Sequence, residues 1–227
     1  GCCGTTPEYI SALRKLIDCT SPAPIEKKNY TAVSSYSSYV ELGTSTALIG
    51  ERINPTGKKR FKTALIENDM EYVLNEAVKQ EQLGAHILDV NVGIPDIKED
   101  EVLPRTVYEI QSISGLPLCI DTSDYIAMER ALRIYNGKPV INSVNGKRES
   151  MEKIFPLAKK YGGVIIALTL DEQGIPSTAD DRIKIAVKIL DTAKQYGIDK
   201  RDIVFDPLAM AVSADPTSAL VTLECIE

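Results

Sequence analysis

Residues 86–123 read HILDVNVGIPDIKEDEVLPRTVYEIQSISGLPLCIDTS. A short apolar run, 86–90, gives way to polar residues at Asp89 and Asn91, and a second, 116–120, leads straight into Asp121. Between them Val102, Val107, Ile110 and Ile113 recur at helical spacing, so one face of a helix over about 99–114 is apolar. Pro104 confines that helix's start, because an interior proline removes a backbone donor. Strand, helix and strand in this order predict a βαβ unit with parallel strands.

The unit repeats in both directions. Apolar runs lie at 47–50, 86–90, 116–120, 139–141, 164–168 and 203–205, nearly continuous in hydrophobicity, as strands covered on both faces should be. The crossovers read as helices. Asn68 or Asp69 caps one that carries Met70, Val73, Leu74, Ala77 and Val78 and closes at Gly84. Ala127, Ala131 and Leu132 mark the third, and Ile154, Phe155, Leu157 and Ala158 the fourth, which closes at Gly162-Gly163. Thr178 with Asp181 forms a capping box ahead of Ile185, Ala186, Ile189, Leu190 and Ala193. The last helix has Asp215 as cap and Pro216 in its first position. The turn after the first strand, Gly50-Glu51-Arg52-Ile53-Asn54-Pro55, lacks the glycine spacing of a nucleotide-binding open sheet. The expected fold is therefore α/β, a (β/α)8 TIM barrel over 47–227 present as about six βα units and not closed. Ahead of it, 7–18 reads as a helix with Ile10, Leu13, Leu16 and Ile17 on one side. The stretch 20–46, rich in Ser, Pro, Tyr and Thr, reads as a linker draped over a surface.

Composition narrows the function classes. A formal charge of -6 over 227 residues argues against a nucleic-acid partner held through phosphate neutralisation. The one basic cluster, Lys58-Lys59-Arg60, reads as a solvated loop. No apolar run is long enough to span a bilayer and no leader precedes a cleavage site, so a cytoplasmic protein without membrane contact is expected. Five cysteines without regular spacing do not make a disulfide framework. Cys19, Cys119 and Cys225 read as buried, inert thiols, and the adjacent pair Cys2-Cys3 stands apart.

In a β/α barrel chemistry gathers at the C-terminal ends of the strands. Those ends here are Glu51 with Asn54, Asp89 with Asn91, Asp121-Thr122-Ser123, Asn142-Ser143 with Asn145, and Asp206-Pro207; Asp171 ends the fifth strand less pointedly. Each alone is read equally well as a cap or loop residue. Five in series suit a ligand rich in N–H donors and ring acceptors: Asp121 and Asp206 can each accept two N–H bonds side by side, and Asn142 serves a donor and an acceptor together. A magnesium site is the competing reading. The single histidine, His86, begins a strand and is read as structural.

These ends, in this order and spacing, resemble the pterin-binding barrel of the folate-dependent methyltransferases. The matching motifs are Gly50-Glu51-Arg52-Ile53-Asn54, Leu88-Asp89-Val90-Asn91-Val92-Gly93, Ile120-Asp121-Thr122-Ser123, Ile141-Asn142-Ser143 and Asp206-Pro207. Dihydropteroate synthase and the methyltransferase serving the corrinoid iron–sulfur protein share them. The opening Gly1-Cys2-Cys3-Gly4-Thr5-Thr6-Pro7 is similar to the end of the homocysteine-binding barrel that precedes the pterin barrel in the cobalamin-dependent methionine synthase family.

The resemblance implies a domain order: 1–19 the tail of a homocysteine-binding domain, 20–46 an interdomain linker, 47–227 a truncated pterin barrel. It implies 5-methyltetrahydrofolate as substrate, with Asp121, Asn142 and Asp206 on the pterin and catalytic, and Glu51, Asn54, Asp89 and Asn91 completing the site. It implies methyl transfer to cobalamin carried by another domain of the parent chain, and zinc on Cys2, Cys3 and an earlier cysteine of the homocysteine domain. The family's asparagine on the seventh strand, which approaches N5, has no counterpart, so the sequence by itself is expected to be inactive. Another corrinoid-dependent pterin methyltransferase and a non-catalytic folate-binding barrel are the alternatives.

Overall fold

The computed structural model describes residues 3–24, 29–211, 213 and 217–227. Helix α1 (Pro7–Asp18) comes first, then the short strands β1 (Thr31–Ser34) and β2 (Tyr39–Leu42). The βα series follows: β3 (Ile49–Ile53), α2 (Lys59–Ile66), α3 (Met70–Gln82), β4 (Ile87–Val90), α4 (Glu99–Ile113), β5 (Leu118–Asp121), α5 (Tyr125–Ile134), β6 (Val140–Asn145), α6 (Arg148–Tyr161), β7 (Val164–Leu168), α7 (Ala179–Gln195), β8 (Ile203–Asp206) and α8 (Ser218–Ile226). The six strands pair in parallel in chain order, β3-β4-β5-β6-β7-β8. A doubly wound sheet reverses its order at a switch point; this one never does, so the fold is the expected β/α barrel, with six strands and two sheet edges at β3 and β8.

Strand alternation sorts the residues into two cores. Leu88, Val90, Leu118, Ile120, Ile141, Ile165, Ala167 and Ile203 face outward into the helical layer, against residues such as Val107, Met128, Phe155 and Ile189. Ile87, Cys119, Val140 and Val164 face inward and form a separate cluster at the strands' N-terminal ends. Gly162, at φ 73°, ends α6 in a conformation that glycine adopts without a Cβ clash.

Several expected boundaries move. The first strand lies over Ile49–Ile53 rather than 47–50, which brings Glu51 into the strand itself. Helix α2 is additional: Phe61, Ala64 and Leu65 are its buried face, so Lys58-Lys59-Arg60 is a helix start and not a loop, with Arg60 paired to Asp69 at 2.6 Å. Asp69, not Asn68, caps α3, accepting from the Tyr72 N–H. In α4, Ile113 is exposed, and Pro104 lies inside the helix, past its first turn. Proline lacks the N–H that would bond the carbonyl four residues back; that carbonyl, of Asp100, accepts instead from Arg130 at 3.1 Å. The Asp215-Pro216 cap lies outside the described residues, and α8 begins at Ser218. His86 accepts at Nδ1 from the Leu48 N–H at 2.9 Å, a structural bond as expected.

The stretch read as a linker also differs in its second half. β1 and β2 form an antiparallel hairpin, and its Val33 is 0% exposed within the inward-facing cluster. The hairpin therefore covers the floor of the barrel. Tyr135 fixes it: the phenol donates to the Ser34 carbonyl at 2.8 Å and accepts from the Leu118 N–H at 3.0 Å. Gly137 makes the approach possible, since a Cβ there would lie 2.2 Å from the Ser34 oxygen. Val33→Asp would bury an unpaired carboxyl in this floor, and is expected to cost about 3 kcal/mol in urea unfolding of the full-length protein; an unchanged midpoint would show that the hairpin is not part of the core. Helix α1 is exposed along its length, and so is Cys19 at its end; of the three thiols expected to be buried only Cys119 is, Cys225 being half-buried. No helix among the described residues is long and apolar enough to cross a membrane.

Candidate functional site

Ascending the inside of the barrel, the apolar layer of Ile87, Cys119, Val140 and Val164 gives way to a polar one. Asp89 is two residues beyond Ile87, Asp121 two beyond Cys119 and Asn142 two beyond Val140, so all three keep the inward face. Register holds them side by side: Asp89 is opposite Cys119, and Asp121 opposite Asn142. Asn91 reaches across to donate to Asp121 at 2.8 Å. Asp89, with Cys119 directly beside it, is buried.

One structural motif recurs at every strand end. A side-chain oxygen accepts the backbone N–H two residues on: Asn54 from Thr56 (2.9 Å), Asn91 from Gly93 (2.8 Å), Thr122 from Asp124 (2.9 Å), Asn145 from Lys147 (3.0 Å), Asp171 from Gln173 (2.9 Å) and Asp206 from Leu208 (2.7 Å). These are turns of the kind Asn, Asp, Ser and Thr form at loop starts. The sequence candidates thus divide by whether they make this turn. Asp89, Asp121 and Asn142 lie within the strands and form no such turn. Asn54, Asn91 and Asp206 each commit one oxygen to the backbone and keep the rest of the group. Glu51 is exposed on β3, its backbone carbonyl accepting from Lys58 Nζ at 2.7 Å.

A cleft of 310 Å3 opens on Asp121 and Asn142 and runs outward past Thr122, Tyr125, Asn145 and Lys153. Glu51, Asn54, Asp89, Asn91 and Asp206 do not line it. Thr122 donates to Glu99, which ties the end of β5 to the start of α4.

Electrostatics follow from burial without a counter-cation. Burial pushes the Asp89 carboxyl from its ordinary 3.8 up to about 7; the negative neighbours Asp121 and Glu51 add to the rise, while hydrogen bonds with Cys119 and Asn142 oppose it. Asp121 is raised for the same first reason, with Glu51 adding to it and the Asn91 bond opposing. The Cys119 thiol, enclosed beside Asp89, is pushed well above its usual range and stays protonated. Such a site favours a ligand that brings N–H donors or developing positive charge.

Among the described residues no group of three or more His, Cys, Asp or Glu is placed to hold a metal ion. Cys2 lies outside the described residues and Cys3 is exposed. Two adjacent thiols are too few for zinc, which takes four ligands in a structural site and three protein ligands in a catalytic one, so no zinc chemistry is derived from this chain.

One participant was missed from sequence. Arg182 is 3% exposed and donates to three backbone carbonyls: Pro176 at 2.9 Å, Pro207 at 2.6 Å and Leu208 at 3.2 Å. Its signal was spacing, since position 182 extends the buried stripe of Ile185, Ile189 and Ala193 by one turn toward the helix start. Leu208 has φ 61°, a left-handed conformation that costs an L side chain about 1–2 kcal/mol.

Comparison with known proteins agrees with this picture. The sequence profile of the family described as pterin binding enzyme matches residues 50–227. The methionine synthase of Mycobacterium leprae is 31% identical over 94% of this chain and 19% of that protein; that of Mycobacterium tuberculosis is 30% identical over 94% and 18%. The chain thus spans about a fifth of the length of these relatives. Among solved structures, dihydropteroate synthase of Xanthomonas albilineans with 4-aminobenzoic acid superposes with a TM-score of 0.64 at 17% identity, covering 82% of this chain and 71% of the other. The Vibrio fischeri dihydropteroate synthase gives 0.61 at 19% identity, over 79% and 67%. These structures establish the barrel fold, and the profile spans its strand ends from Gly50 to Asp206: the chain belongs to the pterin binding enzyme family.

Proposed function

We propose that this chain forms the folate site of a cytoplasmic methyltransferase that binds 5-methyltetrahydrofolate and passes its N5-methyl to cob(I)alamin, for the methylation of homocysteine to methionine. The observation that carries the reading is the inward polar layer, in which Asp121 and Asn142 stand opposite each other at the base of a cleft above an apolar floor. A pterin presents an amino-pyrimidinone edge of alternating donors and acceptors. Asp121 accepts paired N–H groups from such an edge, Asn142 matches a donor and an acceptor, and Asp206 offers the carboxylate oxygen its turn does not use. Asp89, Asn91, Glu51 and Asn54 frame the edge and its water. The match to methionine synthases over 94% of the chain supports the methyltransferase reading over other pterin chemistry.

The methyl on N5 leaves readily only when that nitrogen carries a proton or developing positive charge. The uncompensated carboxylates supply the field that favours such charge, and Asp89, poised near neutrality, can hold a proton beside the ring. Cobalamin, when bound by its own domain, supplies the nucleophile for the methyl group. In the same reading residues 1–19 close an upstream homocysteine-binding domain whose zinc is held partly by Cys2 and Cys3, and 20–46 joins it to the barrel. Homocysteine-binding and cobalamin-binding domains are then this chain's partners.

The test is calorimetric titration of the full-length protein with 5-methyltetrahydrofolate, followed by demethylation of that folate in the presence of cob(I)alamin. Binding with turnover is expected. Tight binding without loss of methyl would leave a folate-binding module, and absence of binding would remove the proposal altogether.

A further inference from the structure

We infer that Arg182 is a positioning residue for Asp206, acting through the turn that follows β8; the consequence for ligand binding rests on the folate reading above. A guanidinium at 3% exposure is costly unless its donors are satisfied, and no ion pair is formed by Arg182 among the described residues. Its partners are carbonyls from two different loops. Pro176 belongs to the loop leading from β7 into α7, and Pro207 and Leu208 to the turn leaving β8.

Leu208 is gripped from both sides. Its N–H donates to the Asp206 carboxylate at 2.7 Å, and its carbonyl accepts from Arg182 at 3.2 Å. The Pro207 carbonyl takes the shortest of the three arginine bonds, 2.6 Å. With Leu208 at φ 61°, the turn holds a conformation that its own residues do not prefer, so something outside must fix it. Arg182 is placed to do so, because α7 anchors it through Ile185, Ile189 and Ala193 in the helical layer. An apolar residue at 182 would pack against that layer at less cost; a planar fork with several donors ties two loops to one rigid helix. Removing it frees the turn, and with the turn the direction of the Asp206 carboxylate.

Two measurements on the full-length protein separate positioning from bulk stability. In the ligand-free protein, Arg182→Met is expected to speed amide exchange at Leu208 at least tenfold, whereas Ile189→Val, a core change in the same helix, leaves it unchanged. For 5-methyltetrahydrofolate, Arg182→Met is expected to raise Kd about tenfold in the wild-type background and not at all in an Asp206→Ala background, the non-additivity of residues acting as one unit. Arg182→Lys keeps the cation with fewer directed donors, and is expected to show an intermediate exchange rate; it carries the test if the methionine variant does not fold. Unaltered exchange at Leu208 in a folded Arg182 variant, or losses that add in the double variant, would overturn the inference. Failure of the wild-type protein to bind folate would instead strike the folate reading, with the exchange experiment still deciding the role of Arg182.

Discussion

Asn142→Ala and Asp121→Ala are each expected to weaken 5-methyltetrahydrofolate binding by about 100-fold, with the fold retained, because each deletes a paired hydrogen bond of about 2–3 kcal/mol. The two groups face each other in register on β5 and β6, so a pterin edge that engages one is delivered to the other. Below them the barrel is apolar, closed by Val140, Cys119 and Val33. Water therefore cannot enter from beneath to replace the lost partner, and the ligand's donor is left unsatisfied, which is the expensive case. Neither side chain belongs to the helical layer, and neither forms the backbone turn that Asn91 or Asp206 does, so stability should change little. Asp121→Ala also strands the Asn91 amide, whose bond to Asp121 is 2.8 Å, and is expected to be the more damaging of the two. Calorimetry on the full-length variants, with thermal melts as control, reads both effects. Wild-type affinity in both variants would refute the assignment of the site to this layer.

The barrel was legible because its two periodicities hold over most of its length: inward and outward positions alternate along the strands, apart from register irregularities in β3 and β6, and apolar stripes such as Ile154, Phe155, Leu157 and Ala158 are buried as expected. What escaped had weaker or disguised signals. Phe61, Ala64 and Leu65 have helical spacing, but three basic residues just ahead of them read as loop. The floor hairpin rests on single buried anchors such as Val33 within strands of four residues, too short for alternation to stand out among serines and tyrosines. At the strand ends, residue type picked out the candidates without separating two roles that the same residues can play. The i to i+2 bonds show why: Asn54, Asn91 and Asp206 are loop-formers as well as candidate ligands, whereas Asp89, Asp121 and Asn142 are committed to the interior by strand alternation alone. Arg182 was passed over because a charged side chain at a core position breaks the pattern used to find cores, and such breaks gather at functional sites.

Asp89→Asn is expected to make the protein more stable at pH 8 and nearly unchanged at pH 4. The direction follows from where the proton resides. Burial holds the Asp89 carboxyl at about 7 in the folded protein against an ordinary 3.8. Below the lower value both folded and unfolded chains are protonated there, and Asp89 contributes nothing to pH dependence. Between the two, the unfolded chain has released the proton that the folded chain keeps, so stability falls as pH rises. Above about 7 the folded carboxylate is ionised within its apolar surroundings and the penalty is complete, on the order of 4 kcal/mol from the size of the shift. Asparagine has the same shape and never ionises, so the variant escapes this loss and is expected to gain about 2–4 kcal/mol at pH 8. Asp121 is raised in the same direction, so a shallower fall with pH should persist in the variant. Urea unfolding of both full-length proteins from pH 4 to pH 8 measures the difference, and a variant less stable than wild type at pH 8 would contradict the account. On the folate reading, the same change removes the proton that Asp89 would hold beside the ring, so methyl transfer is expected to fall while stability rises.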